Sequence, residues 1–350
     1  MSKLPEAAPI PDKPPIHIKG GNLVVASPTS ITEACFSVPA VRALHNSRPT
    51  ATLAVLTPAS IAPLWRNLGS LNHVLEYPDG APVKQIVGIL KDCGFTLESS
   101  LAWENSVAAV ALAKARIPQR LGYDLERLGR RLTDKLKTDP PTGQVEHRVR
   151  FYMGLLEKLG IEGYVAKNFE TPPLPPRPDL IRIGLVPGST LGSTYRWDLA
   201  RFHELGQELL TNHQVELVIL AYPGQADEAH DLENLFDGQV KNFGHDFDLA
   251  GLLGAVPHCS FLVSNDGAVT HLAAHLGVPT VALFGPGDPV ALRPLGRQHI
   301  VLSQHVDCSP CNRRRCPLGH HRCLEELTVA RVYKTAKALL QSQPQAAPAP

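Results

Sequence analysis

Asp266, Gly267, Ala268 and His271 lie in the run Ser264-Asn265-Asp266-Gly267-Ala268-Val269-Thr270-His271. Short apolar stretches, Phe261-Leu262-Val263 and Thr280-Val281-Ala282-Leu283-Phe284, stand on either side and read as buried parallel strands. A tight glycine turn where a strand hands over to a helix gathers free backbone N–H groups at one point. Those donors, with the helix dipole behind them, stabilise a phosphate. Gly285-Pro286-Gly287 repeats the arrangement after the second stretch. Two such turns at neighbouring strand ends predict a ligand cleft at the carboxyl edge of a parallel sheet. An ordinary αβ unit with glycine turns shares this skeleton. The polar set Asn265, Asp266, Thr270 and His271 on one turn favours the phosphate site.

A second loop, Gly188-Ser189-Thr190-Leu191-Gly192-Ser193-Thr194-Tyr195-Arg196-Trp197, also follows an apolar run. The small residues, Ser189 and Thr190 among them, let a ligand approach the backbone. Arg196 can pair with phosphate, and Trp197 can anchor the loop. The hydroxyls would equally serve to satisfy a turn's own backbone. Farther on, Cys308, Cys311, Cys316 and Cys323 form C-x2-C-x4-C-x6-C in a basic stretch with Arg313, Arg314 and Arg315. Four thiolates suit a closed, tetrahedral structural zinc, and the arginines would offset their charge. Reduced thiols packed in a loop are the competing reading. The cluster lies beyond the phosphate turns in sequence, so loss of metal is expected to leave ligand binding there intact. Cys35, Cys93 and Cys259 sit in apolar segments and are expected in the core.

These residues need a scaffold of alternating strands and helices. The chain has 350 residues, enough for two domains, and a formal net charge of +1. That balance gives no electrostatic footprint for nucleic acid. Seven cysteines, an odd count, fit a reducing compartment. No apolar run is long enough to span a bilayer, and Met1-Ser2-Lys3-Leu4-Pro5-Glu6 carries no signal-peptide core. A cytoplasmic protein is expected. Proline-rich composition predicts a disordered leader over 1–15 and a disordered tail over 341–350. Thr171-Pro172-Pro173-Leu174-Pro175-Pro176-Arg177-Pro178-Asp179 reads as a stiff linker between units 16–170 and 180–340. In the first, Leu23–Ala26 and Ala51–Leu56 read as strands, with a helix over Thr32–Asn46. In the second, Ile181–Val186 and Val215–Ala221 read as strands, with a helix over Asp198–Thr211. The expected class is α/β, with two doubly wound parallel sheets facing across a cleft.

Several motifs together resemble the ADP-heptose:lipopolysaccharide heptosyltransferase family. They are Leu23–Ala34 with Ser37–Leu44; Ile117-Pro118-Gln119-Arg120-Leu121-Gly122-Tyr123; and His147-Arg148-Val149 with Leu155-Leu156 and Leu159-Gly160. Pro187-Gly188-Ser189 with Arg196-Trp197, and Ser264-Asn265-Asp266 with His271, are similar to its donor signatures. The cysteine run with Pro317-Leu318-Gly319-His320-His321 resembles its heptosyltransferase II branch in particular. The resemblance implies a GT-B fold of two Rossmann-like domains. It also implies inverting transfer of a heptose or related sugar from a nucleoside-diphosphate sugar, ADP-heptose, to a lipid-linked saccharide such as the lipopolysaccharide inner core.

By the same resemblance the second domain holds the donor, on Ser189, Thr190, Tyr195, Arg196, Glu228, Asp266, Gly267, Ala268 and His271. The first holds the acceptor, on Asn105 and Arg120, and the base, Glu33. A plain surface-helix charge is the competing reading of Glu228. No catalytic cofactor is implied. A monomer in peripheral contact with the inner membrane is expected, with no nucleic-acid partner. The chain departs from the family pattern at Thr32-Glu33 for Gly-Asp, at Tyr195 for Lys, and at Gly267-Ala268 for a hydroxyl-Gly pair. Glu33 keeps a carboxylate at a helix start, where the dipole favours its charge. The departures also feed an alternative, a catalytically impaired GT-B binding protein. A nucleotide-sugar epimerase is the other alternative on this architecture.

Overall fold

The computed structural model of the protein describes residues 16–342 except 70, 140–142, 177–179 and 245–246. The leader over 1–15, residues 177–179 of the linker and residues 343–350 of the tail lie outside the described residues. Gln341 and Ser342, expected in the tail, instead close the last helix.

In the first half the chain runs β1 (Leu23–Ala26), α1 (Ile31–Ser47), β2 (Leu53–Pro58), α2 (Ala62–Asn67), β3 (His73–Tyr77), α3 (Val83–Lys91), β4 (Ser99–Ala102), α4 (Val107–Lys114), β5 (Gln119–Tyr123), β6 (Asp134–Leu136) and α5 (Val149–Lys158). In the second it runs β7 (Ile181–Val186), α6 (Leu199–Asn212), β8 (Val215–Ile219), α7 (Ala226–Leu235), β9 (Lys241–Asn242), α8 (Leu249–Ala255), β10 (Phe261–Asn265), α9 (Ala268–Leu276), β11 (Thr280–Phe284), α10 (Pro289–Leu292), β12 (His299–Ser303), α11 (Arg322–Glu325) and α12 (Val329–Ser342).

Each half builds one parallel six-stranded sheet. The orders are β3-β2-β1-β4-β5-β6 and β12-β11-β10-β7-β8-β9. Read from the other edge, the second repeats the first, so both are doubly wound. Central strands β1, β2, β10 and β11 are buried along their whole length, as helices on both faces require. Strand order reverses between β1 and β4 and again between β7 and β10. Crevices open at those points, outside the carboxyl ends of the strands.

Local chemistry sets the helix ends. Asp198 caps α6 by accepting from the Ala200 N–H at 2.7 Å. The α6 face made by Phe202, Leu205, Gly206 and Leu209 is buried, at three- and four-residue spacing. Gly277 ends α9 with φ 79°, in the left-handed region that a side chain disfavours. Strand β2 starts two residues later than expected, because the Ala51 N–H closes a turn on the Arg48 carbonyl. Cys35 and Cys259 are in the core as expected, but Cys93 is only half-buried in the loop after α3.

One apolar cluster runs through both halves. Phe36, Val41 and Leu64 from the first join Leu249, Leu272 and Val278 from the second. Helix α1 packs on α9, and α2 on α8. The start of α1 is thereby held close to the start of α9.

Candidate active site

At the first crevice Glu33 occupies the first turn of α1. Its carboxylate is not free. Arg148 Nε donates to both oxygens, at 3.0 and 2.8 Å, and the Tyr152 hydroxyl donates to Oε2. Arg148 precedes α5 and Tyr152 lies on it, so α5 clamps the carboxylate in one orientation. Burial, then the Glu33 charge, push the Tyr152 phenol far up, keeping it a neutral donor. Glu104, from the loop after β4, accepts from the Thr29 N–H and hydroxyl at 3.1 and 3.0 Å. A second carboxylate therefore borders the loop that leads into α1.

Of the expected acceptor residues, Arg120 is occupied within the first sheet. Its Nε donates to the Arg131 carbonyl at 2.6 Å and a terminal nitrogen to the Ile117 carbonyl at 2.7 Å. The Asn105 side chain accepts from Arg131 Nε at 3.2 Å. Asn105 follows the carboxyl end of β4, whereas Arg120 is the second residue of β5, toward that strand's amino end.

The second crevice collects the expected donor residues. Strands β7 and β10 are neighbours, so the loop after β7 meets the turn after β10. There the Ser189 hydroxyl donates to the Asp266 carbonyl at 2.5 Å. Gly267 precedes α9, and its Cα faces Ser189 so closely that a Cβ would lie 3.2 Å from Oγ. Asp266 is fully buried, and neither of its carboxylate oxygens has a hydrogen-bond partner among the described residues. The nearest cation-forming group is His271 Nε2, 3.8 Å away, too long for a hydrogen bond. His271 Nδ1 is also buried and unpartnered. Burial pushes the Asp266 carboxyl up, and His271 pulls it part of the way back. Gly287 is required here, because a Cβ would lie 2.2 Å from Asp266 Oδ2.

Arg196 pairs with Glu228 on α7, and its Nε has no hydrogen-bond partner among the described residues. Glu228 is therefore tied to the loop after β7 by an ion pair and is not a free surface charge. Trp197 anchors the loop as expected: its indole N–H donates to the Leu327 carbonyl at 2.9 Å, and its backbone N–H to Asn265 Oδ1 at 3.0 Å. Asn265 and Thr270 hold the turn together through the Pro187 and Asn265 carbonyls, at 2.7 Å each. Tyr195 is buried near Asp266. Burial, then Asp266, push its phenol up to about 12.

The two crevices meet through an aromatic contact. Phe36, one turn along α1 from Glu33, packs edge-on against His271 at 4.7 Å and against His147 at 5.3 Å between ring centroids.

The four cysteines line one cavity of about 30 Å³ with His320 and His321. Among the described residues no three His, Cys, Asp or Glu side chains are arranged to hold a metal ion. The loop does not stand apart from the donor turns, as its place in sequence suggested. The Cys311 and Asn312 N–H groups donate to the Pro286 carbonyl at 3.0 and 2.8 Å. Ser309 Oγ donates to the Gly285 carbonyl at 2.7 Å, and Thr194 Oγ1 to the Arg313 carbonyl at 2.9 Å. The cysteine loop braces the loops that follow β7 and β11.

Arg148, Tyr152 and Glu104 had no site role in the sequence reading. The motif His147-Arg148-Val149 was the one signal at hand, since it marked α5 without assigning the side chains.

The chain shares 30% identity over 210 residues with lipooligosaccharide heptosyltransferase 2 of Campylobacter jejuni subsp. jejuni serotype O:2, covering 56% of this chain and 65% of that protein. It shares 25% identity over 345 residues with lipopolysaccharide heptosyltransferase 2 of Escherichia coli strain K12, covering 91% and 98%. The structure of E. coli ADP-heptose lps heptosyltransferase II superimposes with a TM-score of 0.75 at 22% identity, covering 91% of this chain and 98% of that one. The fold is that of these enzymes, GT-B. The family model for glycosyltransferase family 9 (heptosyltransferase) matches residues 93–322, well over half of the sequence. The chain is a glycosyltransferase and belongs to family 9, the heptosyltransferases.

Proposed function

We propose that the protein transfers a heptose, with inversion, from ADP-heptose to a lipid-linked saccharide of the lipopolysaccharide inner core. One observation carries this reading: a clamped carboxylate, Glu33, starts α1 within one turn of Phe36, which packs on the donor turn's His271. Unit 180–340 would hold the donor. Its diphosphate lies against Ser189, Thr190, Gly267, Ala268 and the α9 N-terminus, with Arg196 released from Glu228 to meet it. Glu228 then accepts from the ribose. Glu33 takes the proton of the attacking acceptor hydroxyl as the bond from sugar to diphosphate breaks. Arg148 and Tyr152 keep it aimed. Attack from the face opposite the leaving diphosphate inverts the anomeric centre. Unit 16–170 would hold the acceptor, with Asn105 and Arg120 at its edge. Family membership and the clamped carboxylate favour transfer over epimerisation and over an inactive binding protein.

No helix among the described residues is long and apolar enough to cross a membrane. A monomer working in the cytoplasm, at the inner face of the inner membrane, suits a lipid-linked acceptor.

ADP is expected to bind and to raise the melting temperature, and His271→Ala to weaken that shift. Thermal melts with ADP, UDP and GDP at millimolar concentration test this. No shift with any of them removes the donor assignment.

We further propose that Cys308, Cys311, Cys316 and Cys323 hold a structural zinc. They line one cavity, and N–H groups of residues 318–321 point at Cys316 and lower its thiol pKa. Zinc would supply a closed thiolate centre for the loop. Purified protein should carry about one metal ion per chain, lost in Cys311→Ser. Because the loop braces both donor loops, ADP affinity should fall with it. Four freely titrating thiols and no stoichiometric metal would leave only packed cysteines.

A further inference from the structure

Beside the Glu33 clamp lies a cleft that the transfer chemistry above does not use. It has a volume of about 690 Å³, ample for a sugar unit, and opens between the start of α5 and the segment from Arg293 to Val301. Its charged lining is of one sign. Arg150, Arg293, Arg297, His147 and His299 face it, with Tyr164 at one side and no carboxylate among the lining residues.

The pairing of these cations is uneven. Arg148 belongs to Glu33, and Arg150 pairs with Glu146 at 3.4 Å. Arg293 and Arg297 have no carboxylate within ion-pair distance among the described residues. Their backbone is nonetheless fixed. Pro294 is buried and Leu295 packs on the core. The Arg293 carbonyl meets His147 Nε2 at 2.8 Å, and the Ala291 carbonyl accepts from the Arg148 N–H at 2.8 Å. Two unpaired guanidinium groups on an anchored segment, over a cleft with no opposing anion, form a receptor for phosphate or carboxylate. His147 lies against the same segment: burial lowers its pKa, the Arg293 carbonyl it meets acts the other way, and the Arg293 and His271 charges add smaller lowering effects.

We infer that this cleft binds an anionic substituent, phosphate or carboxylate, on the saccharide acceptor and so sets which hydroxyl reaches Glu33. The inference rests on the proposed transfer to a saccharide. Its geometric link is Arg148, which stands between the lining residues His147 and Val149 and whose guanidinium holds the base. A neutral sugar offers these two exposed guanidinium groups no opposite charge to pair with.

The test is calorimetric titration at low salt, with saturating ADP present to block the diphosphate site. Glucose 1-phosphate, glucuronate and glucose serve as probes, on wild type and on the double variant Arg293→Ala with Arg297→Ala. At least one charged sugar should bind and glucose should not. The double variant should weaken that binding about tenfold or more, with the melting temperature and the ADP affinity unchanged. Preference between the two charged sugars identifies phosphate or carboxylate as the group read. Equal binding of glucose, or charged-sugar binding that survives in the double variant, overturns the inference. ADP failing to bind would instead sink the donor assignment, and the charged-sugar comparison would still report on the cleft. If the double variant unfolds, Arg293→Gln and Arg297→Gln taken singly give the same readout.

Discussion

Glu33→Gln is expected to lower turnover by about a hundredfold or more while ADP affinity hardly changes. The substitution keeps the shape of the side chain. Its amide oxygen can still accept from Arg148 Nε, which now reaches both carboxylate oxygens. What is lost is the basicity needed to take the acceptor proton in the transition state. A general base contributes on the order of a hundred- to ten-thousandfold, so the loss should show in kcat at saturating acceptor. Stability should hardly move, because both partners are partly open to water and such pairs contribute about 1 kcal/mol or less. Glu33→Asp probes the clamp. The shorter side chain draws the carboxylate away from Arg148 and Tyr152, so its rate should fall between wild type and the Gln variant. Steady-state transfer assays with both substrates varied decide the matter. A Gln variant that transfers sugar at the wild-type rate disproves the base assignment, and Glu104, beside Thr29, becomes the next carboxylate to test.

Asp266→Asn should move stability and activity in opposite directions. Among the described residues the buried Asp266 carboxylate has no hydrogen bond, and only His271, at 3.8 Å, stands near to offset its charge. Burial raises its pKa in the folded state above the unfolded value. The folded state therefore binds this proton more tightly than the unfolded state does. Stability falls as pH rises from the unfolded carboxylate value, about 3.9, through the raised folded value, and the loss is complete above it. At neutral pH the amide is still an unpartnered polar group, but it removes the buried charge, the costlier part of the penalty. The melting temperature should then rise by about a few degrees at pH 7, and the gain should shrink as pH falls toward 4. Turnover should drop about tenfold or more, because in the proposed donor site this carboxylate stands at the turn that meets the diphosphate. Thermal melts across pH, paired with transfer assays, read both effects. A melting temperature unchanged or lowered at pH 7 would show that Asp266 is not an uncompensated charge.

Much of the candidate donor site was legible along the chain because its signals are local. A glycine turn between an apolar run and a helix needs only neighbouring residues, and Asp266, Gly267 and Ala268 sit at the start of α9 as their spacing predicts. The loop from Gly188 to Trp197 was equally plain, with Trp197 anchoring it. Continuous apolar runs also gave β1, β2, β7, β10 and β11, since strands buried on two faces read that way, but not β4, which opens on Ser99-Ser100.

Tertiary structure alone decided who meets whom. Arg148 and Tyr152 reach Glu33 across 115 and 119 positions, and Ser189 reaches Asp266 across 77. Arg196 finds Glu228 on α7, and the cysteine loop folds back onto Pro286 and Gly285. Those pairings follow from strand order. The crossovers that place β4 beside β1 and β10 beside β7 set which loops share a crevice. Residue spacing carries the period of an element and the chemistry of its ends. It does not carry which distant element lies alongside, because that depends on how two twisted sheets bury their helices against each other.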